Sequence, residues 1–538
     1  MNFHWTNPYP SARTPLFARN IVSTSQPLAA QAGLRLLQQG GNAVDAAIAA
    51  AATITLTEPC SNGLGSDCFA LVWDGSQLLG LNASGTAPAA WTLDYFEKKY
   101  GGDLTATRPL RGWDTVTVPG AVGGWSALHR RLGRLPFEQV LAPAIEYAER
   151  GFAISPNVQE KWRLAAPLLR EQPGFAEHFL PKGRAPHVGE HFVLPHAAQT
   201  LKLIAQTHGE AFYRGELAAR LVAHAAEHGG AMTEADLAGY EPQWVDSLHT
   251  QFHRHTLHEI PPNGQGITAL MTLGLLRHTP LAQLEVDSPD WHHWQIEAIK
   301  AAFADVYAHV SDPRSMRVTS EQLLDDDYLK SRAALIDPQR AQHWGPGELP
   351  RGGTIYLTTA DESGMMVSFI QSNYLGFGSG VVVPGTGISL HNRGHAFSML
   401  ADHPNVVAPG KRPFHTIIPA FLMAQGKPQM SFGVMGANMQ PQGQVQTLTR
   451  MLLAHQQPQA ACDAPRWKWN KALDIEVEPN MPDSVKTELA RRGHRIAPVN
   501  DPYLDFGAGQ FIWSLGDSAV DGYVAASDSR RDGCAVGY

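Results

Sequence analysis

Thr354 is the residue of this sequence best placed to act as a nucleophile. It lies in Arg351-Gly-Gly-Thr-Ile-Tyr-Leu-Thr-Thr-Ala-Asp-Glu-Ser-Gly364, in the middle of the chain as translated. A threonine hydroxyl is weak until a base adjoins it. If the peptide bond before Thr354 is cut, the residue becomes a new N-terminus. Its α-amine, with a pKa of about 7.7–8.0, can then accept the Oγ proton. Gly353 favours such a cut, because a residue without a Cβ leaves its carbonyl open to attack by Thr354 Oγ. Asp361-Glu-Ser-Gly364 reads as a hairpin turn. Folding the flanking strands about it pairs Ala360 with Met365 and sets Thr354 beside Gln371, Ser372 and Asn373. Thr358 and Thr359 fall mid-strand and lack a preceding glycine. On spacing alone, a β-branched residue that merely opens a strand remains the stronger reading of Thr354.

The elements that must position this segment differ on its two sides. Ser25-Gln-Pro27 resembles a helix start, and the alanine-rich run Ala43 to Leu56 reads as a buried helix with Asp45 as a local cap. Phe69–Trp73 and Leu78–Leu81 read as paired strands. Residues 118–330 read as mostly helical, with Ile296, Ile299, Phe303 and Val306 on one face of a helix from Trp291 to Val310. Residues 331–353 are rich in Pro, Gly, Gln and Arg and read as an exposed linker that tolerates cleavage. Strands follow at 354–360, 366–371, 416–423 and 429–433, then helices near 442–455 and 483–492.

The chain has 538 residues, enough for a large core, and a net charge of −8, which argues against nucleic acid or an anionic membrane as partner. The four cysteines, Cys60, Cys68, Cys462 and Cys534, form no CxxC unit and read as reduced thiols of a cytoplasmic protein. No secretory signal or membrane span is read in the sequence. His292-His293 has the wrong spacing for a metal site, since adjacent helical side chains diverge; no metal or other cofactor is expected.

Several blocks carry a resemblance: Gly40-Gly-Asn-Ala-Val-Asp-Ala-Ala47, Pro119-Gly-Ala-Val122, Gly133-Arg-Leu-Pro136, Ala142-Pro-Ala-Ile145, Gly378-Ser-Gly-Val-Val-Val-Pro-Gly-Thr-Gly-Ile388, Pro409-Gly-Lys-Arg-Pro413 and Asp463-Ala-Pro-Arg466. In content and order they resemble the γ-glutamyltranspeptidase family, and together they cover nearly the whole chain. The resemblance implies an α+β, N-terminal-nucleophile (Ntn) hydrolase fold, an αββα four-layer sandwich. It implies autoprocessing at Gly353-Thr354 into a large subunit, 1–353, and a small subunit, 354–538, that form one intertwined domain. A dimer of such heterodimers is one further arrangement. Matched on Gly364, the family's nucleophile falls on Thr354.

The match also transfers the family's other site positions. Its second threonine falls on Ser372, which keeps a hydroxyl. Its asparagine two residues later falls on Tyr374, beside Asn373. Its oxyanion glycines fall on Gly436 and Ala437, compatible because backbone N–H groups do that work. The substrate positions depart more. The glutamyl-carboxylate arginine falls on Ser84, the ammonium-holding aspartate on Ala396, its neighbouring glutamine on Arg393, and the two carboxylate-binding serines on His415 and Thr416. Losing the aspartate disfavours an ammonium-bearing γ-glutamyl substrate. Arg393 suits a small carboxylate held bidentately, with His415 adding a hydrogen bond or a charge. The implied substrate is a short amide with a carboxylate and no amino group. The family's reactions on γ-glutamyl compounds or β-lactam side chains, and an unprocessed non-catalytic member, are the alternatives.

Overall fold

The computed structural model describes residues 12–344, 353–499 and 506–538. Arg351 and Gly352 of the candidate cleavage segment lie outside them. Two seven-stranded antiparallel sheets face one another at the centre. One sheet runs in spatial order Cys534–Gly537, Ile21–Thr24, Gly353–Ala360, Met366–Tyr374, Asp67–Trp73, Leu78–Ala83, Gln243–Val245. The other runs Leu16–Ala18, Tyr523–Ser527, Ala508–Ser514, Lys427–Met435, Ala420–Ala424, His255–Glu259, Leu248–Phe252. Both sheets take strands from before and after residue 353.

Helices cover the two outer faces, giving the expected αββα order. Ala43–Thr57 packs on the hairpin that holds Thr354, and all fifteen of its residues are buried. Its run of alanines lets helix and sheet approach closely. Asn42 and Asp45 close its first turn as a capping box, as the sequence suggests. On the other face Gly266–Leu276, Pro289–His309 and Met439–Leu453 form the second layer. Between the sheets lie Phe69, Leu71, Tyr356, Ile370, Ile417, Phe421, Met435 and Ile512. Gly433 permits this spacing: a Cβ there would meet the Tyr356 ring at 2.4 Å.

Four expectations need correction. The hairpin register is one residue off: Ala360 pairs with Met366, not Met365. Gly364, at φ +92°, takes a left-handed conformation and adds one residue to the turn. The stretch 118–330 is less helical than its pattern suggests, since Leu248–Phe252 and His255–Glu259 are sheet strands. The strand expected at 416–423 begins only at Ala420. The described part of the 331–353 segment is packed, not an exposed linker: Ile336 and Ala341 are buried, and the Trp344 indole donates to Glu297.

Glu259 ends one of the strands that the sequence pattern hides. It is fully buried against Gly266, and neither carboxyl oxygen has a hydrogen-bond partner among the described residues. Burial pushes its pKa well above the usual carboxylate range. A carboxyl protonated in the fold but ionised when unfolded costs the native state stability as pH rises above the unfolded pKa. Glu259→Gln should therefore melt close to the wild type at pH 5. By pH 9 it should melt higher, by on the order of 3 °C. Thermal melts across that range check this; parallel curves would contradict it.

Candidate active site

The Gly353–Ala360 strand carries Thr354 to the open end of the hairpin. Ile355 pairs with Gln371 and Gly353 with Tyr374, so Thr354 alone faces Ser372 and Asn373, and the partner strand bulges opposite it. Its side chain is buried, with Oγ1 3.2 Å from Ser372 Oγ. Ser372 accepts from the Tyr374 N–H at 2.8 Å and lies 3.4 Å from Arg393 Nη2. In the contact between Ser372 and Thr354 either hydroxyl can be the donor. A further amide, Gln440 Nε2, donates to Thr354 Oγ1 at 3.4 Å.

Arg393 opens a short 3-10 turn and is completely buried. Nη1 donates to Thr416 Oγ1 at 2.9 Å, and Nε has no partner among the described residues. The guanidinium carbon lies 4.4 Å from the centre of the Tyr374 ring, a stacking that holds the fork in plane. Tyr374 takes φ +75° to reach that position. No carboxylate of the described residues lies within ion-pair distance of Arg393. Burial lowers its pKa to about 10, which still leaves it charged.

Asp67, which sequence reasoning missed, is the buried acid of the site. Sheet pairing sets it directly across from Ser372. Its Oδ1 accepts from the Gly120 and Gly85 N–H groups at 3.1 and 3.3 Å. Its Oδ2 lies 3.1 Å from His415 Nε2. Burial pushes its pKa up to about 7, while the charge of Arg393 pulls it back. The Ile417 N–H points at His415 Nδ1, so Nε2 carries the hydrogen and donates to Asp67. Burial first, then Arg393, holds His415 far below its ordinary pKa, so it is neutral. His391, 3.6 Å from the same carboxylate, is lowered to about 3 by the same causes. Of this pair, His415 meets Asp67 and Thr416 meets Arg393. An acid in the otherwise apolar strand Asp67-Cys-Phe-Ala-Leu-Val-Trp73 was the available signal.

The oxyanion candidates form a left-handed turn, with φ +121° at Gly436 and +51° at Ala437. Their carbonyls accept from Met439 N and from Gln265 Nε2, at 2.9 Å each. Gln265 also donates to the Thr416 carbonyl at 2.6 Å, so this second missed residue ties the turn to the Arg393 side. Asn373 lies on the same strand as Ser372, with Oδ1 accepting from Ser66 at 2.7 Å and Nδ2 unpartnered among the described residues. Ser84 is held by Asn82 Oδ1 at 2.7 Å. The Ala396 carbonyl accepts from Asn405 at 2.7 Å.

Away from this centre, His293, Glu297 and His494 bring three ligand-type atoms together. His292 instead faces Asp287, so the adjacent histidines do diverge. Lys300 Nζ lies 2.6 Å from Glu297 Oε1, and the Trp344 indole lies 2.7 Å from Oε2. His293 lies 2.9 Å from both His494 and the Asp337 carbonyl. An ammonium already fills the cation position beside Glu297. The four cysteines are free thiols, three of them buried. No helix among the described residues is long and apolar enough to cross a membrane.

The family model described as Gamma-glutamyltranspeptidase matches residues 29–538. A glutathione hydrolase-like YwrD proenzyme of Bacillus subtilis is 36% identical over 531 residues, covering 96% of this chain and 98% of that protein. An oxamate amidohydrolase proenzyme of Klebsiella pneumoniae is 37% identical, covering 95% and 97%. The crystal structure of a cephalosporin acylase from Bacillus halodurans superposes with a TM-score of 0.94 at 45% identity, covering 100% of this chain and 99% of that one.

Proposed function

The chain belongs to the gamma-glutamyltranspeptidase family, and we propose that within it this protein hydrolyses oxamate to oxalate and ammonia. The supporting observation is Arg393, a fully buried cation with no carboxylate partner among the described residues and one hydroxyl away from the nucleophile. A buried charge of this kind calls for an anion. The contacts from Thr354 Oγ1 through Ser372 to Arg393, 3.2 and 3.4 Å, suit a substrate whose carboxylate adjoins its amide carbonyl. Oxamate has that form, and it needs no ammonium partner at Ala396.

In this reading the chain cuts itself between Gly353 and Thr354 into a large subunit, 1–353, and a small one, 354–538. Oxamate's carboxylate lies on Arg393 and Thr416, near Asn373 and Tyr374, above the Asp67–His415 pair. Thr354 Oγ attacks the amide carbon, and its proton passes to the α-amine. Ser372 orients the hydroxyl, and the Gly436 and Ala437 N–H groups hold the oxyanion. The C–N bond breaks as the amine's proton passes to nitrogen, and ammonia leaves. Water then attacks the oxalyl ester, gives its proton to the amine, and oxalate departs as Thr354 Oγ is reprotonated. The chemistry is proposed to need no cofactor and to run in the cytoplasm.

The test compares ammonia release from oxamate with glutamate release from glutathione at equal concentration, alongside mass-spectrometric mapping of N-termini. Oxamate turnover at least about 10²-fold faster is expected, since an ammonium placed without its partner is penalised at that scale. A cleaved enzyme that works on glutathione and not on oxamate would overturn the substrate assignment and leave the nucleophile standing.

A further inference from the structure

Helix Met439–Leu453, which follows the oxyanion turn, opens with four buried glutamines at every second position: Gln440, Gln442, Gln444 and Gln446. Three of them stitch backbone to backbone. Gln442 donates to the Trp469 carbonyl and accepts from its N–H, at 3.1 and 2.7 Å. Gln446 does the same at Trp467, at 2.9 and 3.1 Å. Gln444 donates to the Ile418 carbonyl at 3.3 Å. Gln440 shares that last face, four residues earlier, and its Oε1 accepts the Ile418 N–H at 3.0 Å. Its amide nitrogen, though, meets no backbone carbonyl among its described contacts. It donates instead to the hydroxyl of Thr354, at 3.4 Å.

That difference assigns a role. The Ile418 N–H needs an acceptor, so the Gln440 amide cannot flip without setting donor against donor. Its N–H is therefore fixed on the nucleophile oxygen, one helical turn from the oxyanion amides. We propose that Gln440 is a catalytic residue, a preoriented donor to Thr354 Oγ that stabilises the charge this oxygen gains when the acyl–ester bond breaks. This rests on the reading of Thr354 given above. In deacylation the electron pair of the breaking C–O bond returns to Oγ, and the α-ammonium supplies the proton. The Gln440 N–H gives up no proton, and it shares the oxygen with Ser372. The charged group joined to this network is Arg393, through Ser372, with Asp67 across the sheet from that serine. The same oxygen attacks Gly353 during chain cleavage, so the donor acts there also.

Two full-length variants test this. Gln440→Met keeps the length and removes the donor. Gln440→Glu also removes the donor but keeps the acceptor for Ile418. Gln440→Glu should melt near the wild type and Gln440→Met lower, with the Ile418 N–H unpaired; both should cleave at 353/354 more slowly and lose about 10–10²-fold in kcat with KM changed less than about threefold. In Gln440→Glu the added carboxylate should hold the α-ammonium, so the acidic limb of the kcat/KM profile moves to higher pH. Wild-type cleavage, kcat and pH profile in Gln440→Glu would overturn the proposal. So would loss of folding in both variants, which would make the residue structural alone. If the wild-type chain cleaves but leaves oxamate intact, the substrate assignment fails, and the cleavage rates still decide on Gln440.

Discussion

Thr354→Ala is expected to run on a denaturing gel as one band of the full 58.5 kDa and to release no ammonia above background. Two losses coincide in this variant. Without Oγ nothing attacks the Gly353 carbonyl, so the large and small subunits never separate. Without cleavage no α-amine exists, so even a replacement nucleophile would lack its base. Residues that act as one unit are not additive, and removing the nucleophile should cost about 10⁴-fold or more in turnover. Thr354→Ser should be milder: the hydroxyl remains, and only the methyl that restricts its rotation is lost. It should cleave slowly and then turn over at a reduced rate. Ser372→Ala lies between, since Tyr374 N–H and Arg393 lose their acceptor while the nucleophile remains. An intact, active Thr354→Ala polypeptide would remove the basis of the whole mechanism.

The site was legible where its parts are close in sequence. Thr354 and Ser372 are eighteen residues apart, joined by a turn whose chemistry is local. A hairpin therefore brings them together even when its register is read one residue short. The other partners come from far along the chain. Asp67 reaches His415 across 348 positions, and Gln440 reaches Thr354 across 86. No periodicity reports such meetings. Arg393 and Thr416 were found through the family resemblance, and His415 was found with them, but its partner was not. The buried contact between His415 and Asp67 joins residues too far apart in sequence for spacing to reveal. The missed strands have a related cause. Inward positions of Leu248–Phe252 and His255–Glu259 include Thr250, His255 and Glu259. Polar residues on the buried face erase the alternation that marks a strand. The 331–344 segment misled in the opposite direction. Its composition is that of a linker, yet Gln342 and Trp344 are drawn onto Glu297 by a buried charge that composition does not register.

Arg393→Met carries the second large effect, and it separates binding from chemistry. The guanidinium touches Thr416 and Ser372 but not Thr354, so chain cleavage should proceed. The fold should survive as well. With Arg393 gone, Asp67 loses the cation that lowers its pKa, takes up a proton, and stays hydrogen-bonded to Gly120, Gly85 and His415. What should fail is recognition of the substrate carboxylate. Truncating one partner of a buried ion pair costs about 2–5 kcal/mol, or roughly 30- to 5,000-fold in kcat/KM for oxamate, most of it in KM. The methyl ester of oxamate, which has no charge to place, should lose far less. Arg393→Lys should restore only part of the loss, because an ammonium cannot fork between Thr416 and the bound carboxylate. The wild type adds a pH signature. Asp67 makes no direct pair with Arg393 but carries a proton below about pH 7, and its negative charge then no longer opposes an incoming carboxylate, so KM for oxamate should fall as pH drops. Over the same range kcat should fall, because the α-amine is protonated. These opposite slopes come from two different groups, and in Arg393→Met only the slope in kcat should remain. A KM that still falls with pH in that variant would mean another cation holds the carboxylate, and Arg393 would then be a structural residue.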